Sequence, residues 1–370
     1  MKQMETLSKI EEIIDLRDHW ESLRESCCGS IFTSFEWCIT WLECFKHVAK
    51  PCISVLRDNG QIKIILPFVV AKIKIMNTGL NKLSFIGNQR SAAELYDLEI
   101  LRHVSDERSA IEVIEMISEL KWHLLELGNM KDTPFSRNLY HLISLKWRTD
   151  KILATPCPFT KLYLADDPID LIGKRTQRTI RKMISTLGNE SRMRLQIAES
   201  PEHMKESIDI YIKLHKERWE KKGGSIFSNE YIADFLTKVS TKMAATGKGR
   251  CYNLIIDDEI AAQLLCFDDR SCVRAYRVGV NNDYLDYSPG NIVTYLAMKD
   301  CKMRGKRYID FAKGGEEFKY RMGGEDRYVL SVHGMRGGLA MLSTLANLPL
   351  IRTLTHKMKM KELVLKEIYK

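Results

Sequence analysis

The sequence predicts a mixed α/β fold arranged as two domains, and three observations carry that reading. A chain of 370 residues exceeds what one hydrophobic core usually organises. Helix-like and strand-like periodicities alternate along it. A connector with two prolines, Ala154-Thr155-Pro156-Cys157-Pro158, breaks the pattern, and a similar order of elements follows it.

Taken in order, residues 5–26 place Leu7, Ile10, Ile14, Leu16 and Leu23 among charges and are expected to be helical. Ser34 is positioned to cap a helix with Trp37, Trp41, Leu42 and Phe45 at helical spacing. Strands are expected at 52–56 and 62–75, joined by the hairpin signal Asp58-Asn59-Gly60. A strand at 83–87, an amphipathic helix at 107–120 and a buried strand at 122–127 complete the first half. Beyond the connector come helices at 174–187, 202–221 and 231–243, then strands at 250–256, 260–267 and 272–280. A helix at 291–304, a strand at 308–311 and a short helix or turn near 316–322 follow. The domains read as 1–153 and 154–340, with a tail at 341–370. Within that tail, residues 352–370 hold six Lys/Arg against two Glu, with Leu354, Met358, Leu363, Val364 and Ile368 interleaved. Such a basic amphipathic helix either packs back on its domain or lies on an anionic membrane.

The apolar fraction of 45% and charged fraction of 28% are those of a soluble globular protein and exclude a disordered or fibrous chain. The longest apolar run, 64–71, is far shorter than a bilayer span and contains Pro67. The N-terminus leads into a polar segment, so no secretory signal is expected. None of the ten cysteines forms a C-x-x-C pair, which argues against a zinc ribbon or dithiol redox site; reduced thiols and a cytoplasmic location are expected, with no metal. The net charge of +9 suits a phosphate-rich cofactor or an anionic membrane as well as it suits nucleic acid. The basic residues form no stripe with interleaved aromatics, so DNA is not an expected partner.

The stretch with most chemical content runs from Cys272 to Met322. A strand, 272–280, leads through a loop into Ser288-Pro289-Gly290-Asn291 and a helix. Pro-Gly at a strand-to-helix turn lets the backbone approach a ligand closely, and the first N–H groups of the helix attract an anion. An ordinary turn has the same signature. Next come Asp310-Phe311, Gly314-Gly315 and Phe318-Lys319. Upstream lie Phe32-x-Ser34-x-Glu36-Trp37 and His215-x-x-Arg218-Trp219, the latter followed by Gly223-Gly224 and Phe227. In this ordered set the sequence resembles the CelD/BcsL-type acetyltransferases, the FemAB-like tandem-domain branch of the GNAT superfamily, over residues 30–335. One departure stands out: Phe318 occupies the position of the family's usual tyrosine.

The resemblance implies two tandem GNAT-like domains, each a mostly antiparallel twisted sheet flanked by helices, the second holding an acyl-CoA site. It implies acetyl-CoA or another acyl-CoA as co-substrate. Tyr276, Val278, Gly279 and Val280 would lie along the pantetheine, and Ser288, Pro289, Gly290 and Asn291 beneath the pyrophosphate. Asp310 is the expected acid–base residue, or else a strand-end cap. Lys319 is expected to neutralise a phosphate or an acidic substrate, and either Tyr320 substitutes for the missing phenol or no tyrosine is needed. Glu94, Tyr96, Asp97, His215, Arg218 and Trp219 are expected on the acceptor, a small-molecule, nucleotide-linked or lipid-linked sugar amine. The basic helix with Lys174, Arg175, Arg178, Arg181 and Lys182 contains no acid and reads as a solvated face or an attractor of phosphates. The implied function is N-acyltransfer to an amino-sugar or cell-envelope precursor. Two alternatives stand: a FemAB-like transferase that takes its amino acid from tRNA, and a non-catalytic GNAT-like module of a polysaccharide complex. No P-loop, G-x-G-x-x-G or H-E-x-x-H occurs.

Overall fold

Two sheets, each backed by the helices that the apolar stripes of the sequence require, make up the structure. The computed structural model describes residues 2–75, 78–88, 95–104, 108–150, 152–220 and 223–336. The chain divides into two units: Met1–Ala154, rejoined from Val329, and Thr155–Tyr328.

In the first unit, β1 (Lys2–Leu7), α1 (Ile10–Ile14), α2 (Arg17–Ser26) and α3 (Phe35–Cys44) precede the hairpin of β2 (Lys50–Asp58) and β3 (Gln61–Ile75). Asn59 and Gly60 have φ of 49° and 80°, the pair of positive values that a two-residue hairpin turn needs. Ser34 caps α3, its hydroxyl accepting from the Trp37 N–H. Then follow β4 (Thr78–Phe85), β5 (Leu101–Arg102), α4 (Ser109–Glu119), β6 (Leu124–Lys131), α5 (Pro134–Lys146) and β7 (Arg148–Thr149). Strands β1-β2-β3-β4-β6 lie side by side, antiparallel except for β4 against β6. Trp20, Trp37, Trp41, Phe32 and Phe35 are excluded from solvent, with Phe32 edge-on to Trp37 at 4.9 Å.

From β8 (Leu153–Pro156) the chain enters the second unit. There β9 (Phe159–Lys161), α6 (Lys174–Asn189), β10 (Met193–Ala198), α7 (Pro201–Trp219) and α8 (Glu230–Ala245) come first. The meander of β11 (Gly249–Ile256), β12 (Glu259–Asp269) and β13 (Cys272–Val280) leads to α9 (Pro289–Met303), β14 (Tyr308–Asp310) and α10 (Glu317–Arg321). The sheet order is β10-β11-β12-β13-β14-β9, antiparallel except for β13 beside β14. Ile180, Leu254, Leu264, Ile292 and Met298 sit at the centre of its core.

Several sequence expectations change. Residues 5–7 are strand rather than helix: β1 pairs along its whole length with β2, from Lys2↔Asp58 to Leu7↔Ile53, and that ladder satisfies its backbone groups. Helix α5 was not foreseen, although Thr133 and Ser136 form a capping box around Pro134 at its start. Strand β10 was also missed, although Met193, Leu195 and Ile197 alternate along it. The last described strand, β15 (Tyr328–Met335), pairs with β6. The chain therefore returns to the first unit at Val329, ahead of the boundary expected near 340. The tail at 341–370 lies outside the described residues. Among the described residues, no helix is long and apolar enough to cross a membrane.

Candidate active site

The site forms where the second unit's sheet opens. Strand β14 pairs with β13 only at Cys272, Val273 and Arg274, and it ends at Asp310. Just beyond, the β12–β13 register shifts: Cys266 faces Ala275 but Leu265 faces Arg277, so Tyr276 is the extra residue of a bulge. A bulge bends its strand and increases the local twist. It thereby turns β13 away from β14. From Ala275 to Val280 no described strand pairs with this edge of β13. An edge of that kind can take an extended ligand as an added strand.

Helix α9 starts beside the same segment of β13. Its N-cap, Ser288, has φ 53° and ψ 46° and offers no side-chain cap, and Pro289 occupies the first helical position. The Asn291 N–H donates to the Ser288 carbonyl at 3.0 Å, which tightens the first turn. The positive end of the helix dipole is left without a carboxylate, since the first turn contains no acid. A Cβ at Gly290 would stand 3.3 Å from Val280 Cγ2 and 4.0 Å from Val278 Cγ1. Glycine is what allows the helix to begin so close to the strand. A groove of about 470 Å³ lies here. Val278, Val280, Leu285 and Phe318 form its apolar lining, Ser288, Asn291 and Thr294 its polar rim, and Arg218 and Arg321 supply positive charge.

The structure thus brings together Arg218, Val278, Val280, Ser288, Pro289, Gly290 and Asn291 from the residues expected at the site. Gly279 serves the opposite face: a Cβ there would meet Tyr211 Cδ2 at 2.8 Å, so the glycine lets α7 pack on β13. Tyr276 is buried against Phe267, ring centroids 5.3 Å apart. Leu285, Thr294 and Arg321 were not anticipated. Arg321 had a readable signal, because it follows Phe318 by one helical turn.

The three residues expected to catalyse are placed elsewhere. Asp310 is 0% exposed and lies between two guanidiniums. It accepts from Arg274 Nη1 at 3.1 Å, from Arg327 Nε at 2.8 Å and from the Ala312 N–H at 2.8 Å. With those donors engaged, this carboxylate is a structural anchor for the turn after β14. Lys319 is also buried. Its ammonium donates to the Ala312, Lys313 and Gly314 carbonyls at 3.1, 2.8 and 3.1 Å and pairs with Glu316. It therefore clamps a turn in which Ala312 and Gly314 have positive φ. The Tyr320 hydroxyl donates to Asp326 at 2.7 Å, and that bond pushes its pKa up to about 12. Tyr320 does not line the groove.

Among the expected acceptor residues, His215, Arg218 and Trp219 share the last turns of α7. The His215 ring stacks on Trp219 at 5.8 Å and meets Phe227 edge-on at 4.9 Å. Its Nδ1 lies 2.8 Å from the Ser225 hydroxyl. Burial, then the nearby Arg277 and Arg218, lower its pKa, so the imidazole is neutral at pH 7. Tyr96 and Asp97 are buried within the first unit, Tyr96 against Phe32 at 4.8 Å, so neither presents a surface to substrate. Glu94 lies outside the described residues. Among the described residues no group of three or more His, Cys, Asp or Glu is placed to hold a metal.

Both the sequence of the second unit and the fold of the chain have counterparts among known proteins. Residues 174–320 match the acetyltransferase (GNAT) domain family. No curated protein matches the chain. Solved structures resemble it at low identity but over nearly its whole length. FemX aligns with a TM-score of 0.59 and 11% identity, over 94% of this chain and 99% of that one. The C-terminal domain of a putative lysylphosphatidylglycerol synthetase from Agrobacterium fabrum gives 0.51 and 9%, over 91% and 96%. A tandem GNAT protein from the clavulanic acid biosynthesis pathway gives 0.50 and 10%, over 91% and 99%. The fold is accordingly that of tandem GNAT proteins, and the GNAT domain match spans every lining residue of the groove except Arg321.

Proposed function

We propose that the protein is an acyl-CoA-dependent N-acyltransferase of the CelD/BcsL kind, transferring acetyl or a related acyl group to an amine of an amino-sugar or other cell-envelope or polysaccharide precursor. One observation carries this: the open edge of β13 and the uncapped start of α9 face a single groove with two arginines on it. A pantetheine arm needs an extended partner with backbone amides, and a pyrophosphate needs N–H donors and positive charge. This chain supplies both within one groove. The donor brings the thioester, and the protein's residues do the positioning. His215 does not line the groove itself but lies one turn before Arg218, which does. Half-buried, with its pKa lowered, it is the candidate to take the ammonium proton through an intervening water so that the amine can attack. Phe318 has no proton to give. A departing thiolate needs none, because an ordinary thiol ionises near pH 8.5.

Thermal unfolding with free CoA, acetyl-CoA and longer acyl-CoA esters tests the reading. A ligand at a hundredfold excess over its Kd stabilises the folded state by about 2.7 kcal/mol, so a rise in Tm of roughly 5–10 °C is expected. No shift with any ester, together with salt-sensitive binding of tRNA, would transfer the site to an aminoacyl-tRNA donor. Binding of neither would leave a non-catalytic module.

A further inference from the structure

Away from the groove, the second unit carries a charged surface that acyl transfer does not use. Lys174, Arg175, Arg178, Arg181 and Lys182 are all exposed on α6, whose inner side is anchored by Thr176, Ile180 and Leu187. Among the described residues only Arg181 of these five has an ion-pair partner, Asp170 at 3.4 Å. Tyr295 on α9 lies beside this pair, bonding Asp167 at 3.2 Å, and Lys299 sits over the Tyr295 ring at 5.8 Å. One turn on, Lys302 donates to the Leu162 carbonyl at 3.3 Å, and Arg307 covers Tyr163 at 4.8 Å. These contacts make one continuous surface from α6 across α9 to the turn at Leu162–Leu164.

At its far end that surface exposes large apolar side chains: Tyr163 is 45%, Leu164 58% and Met303 78% exposed. A solvated helix face explains the cations but not the exposed Leu164 and Met303 at the other end of the same surface. We propose that this surface of the second unit binds the face of an anionic phospholipid bilayer, with Leu164, Met303 and Tyr163 entering the headgroup layer and the α6 cations over the lipid phosphates. Charge complementarity selects the partner. Eight cations lie along the surface against the carboxylates of Asp166, Asp167 and Asp170. Basic side chains gain most from a surface of negative charge, and exposed apolar groups gain from an interface they can enter. RNA would use the cations and could stack on Tyr163, but it would give the exposed Leu164 and Met303 nothing to enter.

Sedimentation of the full chain with vesicles, without any acyl donor, tests it. Wild type should bind phosphatidylcholine vesicles containing phosphatidylglycerol, lose binding in high salt, and ignore pure phosphatidylcholine. The triple variant Arg178→Gln/Arg181→Gln/Lys182→Gln should bind roughly a hundredfold more weakly. Leu164→Ser/Met303→Ser should bind roughly tenfold more weakly or worse. Because all five side chains are exposed, unchanged melting curves will show that both variants fold. Equal binding to neutral vesicles would overturn the proposal. So would unchanged binding by both variants, or loss of binding only when residues 341–370 are deleted. Tight binding of a tRNA probe that the glutamine variant loses, with no vesicle binding by wild type, would assign the surface to RNA instead.

Discussion

Asp310→Ala is expected to lower the stability of the protein by about 3–5 kcal/mol, the usual consequence of removing one partner from a buried ion pair. The carboxylate is fully enclosed and joins three elements: Arg274 on β13, Arg327 ahead of β15, and the Ala312 N–H in the turn after β14. Truncation would take a carboxylate partner from Arg274 and from Arg327, and the side-chain acceptor from the Ala312 N–H. Asp310→Asn keeps one acceptor oxygen but loses the charge, so it should fall between wild type and alanine. Equilibrium denaturation measures the loss. An asparagine variant of undiminished stability whose turnover collapses would instead return Asp310 to the catalytic role that the sequence suggested.

Gly290→Asp is expected to weaken acyl-CoA binding by at least about a hundredfold, two phosphate-directed effects acting together. The new Cβ would press on Val280 Cγ2 at 3.3 Å, and the carboxylate would then stand in the groove at the start of α9. There it would occupy the space an anion needs and repel it. The same carboxylate interacts well with a helix N-terminus, so the fold should keep most of its stability. Calorimetric titration of acetyl-CoA into the two proteins reads the difference. Equal affinities would remove the phosphate site from this helix.

Much of the fold was legible because it rests on local signals. The Asn59-Gly60 turn, the Ser34 cap and the Pro289-Gly290 helix start each declare themselves within a few residues. What stayed hidden depends on long-range pairing. β1 becomes a strand only because β2 offers a partner more than forty residues away. β15 leaves the second unit because β6 accepts it. The site divided the same way. The turn could be read from its own residues, and the β13 valines and Arg218 from the family resemblance. Asp310 and Lys319 could not, because their roles depend on whether burial surrounds them with partners: Arg274 and Arg327 for one, three carbonyls for the other. A motif shows that an acid stands at a strand end, not what faces it. Conversely, His215 gained weight from a neighbour ten residues on, Ser225, which orients its ring.

On the proposed function, the β13 edge from Ala275 to Val280 and the first turn of α9 together hold the acyl-CoA. Amide hydrogen exchange with and without acetyl-CoA tests it most directly, because both contacts would be made by backbone N–H groups. Acetyl-CoA is expected to slow exchange in peptides covering 275–280 and 290–292, with little change in β10 or β11. Protection confined to other segments, or none at saturating acetyl-CoA, would contradict it.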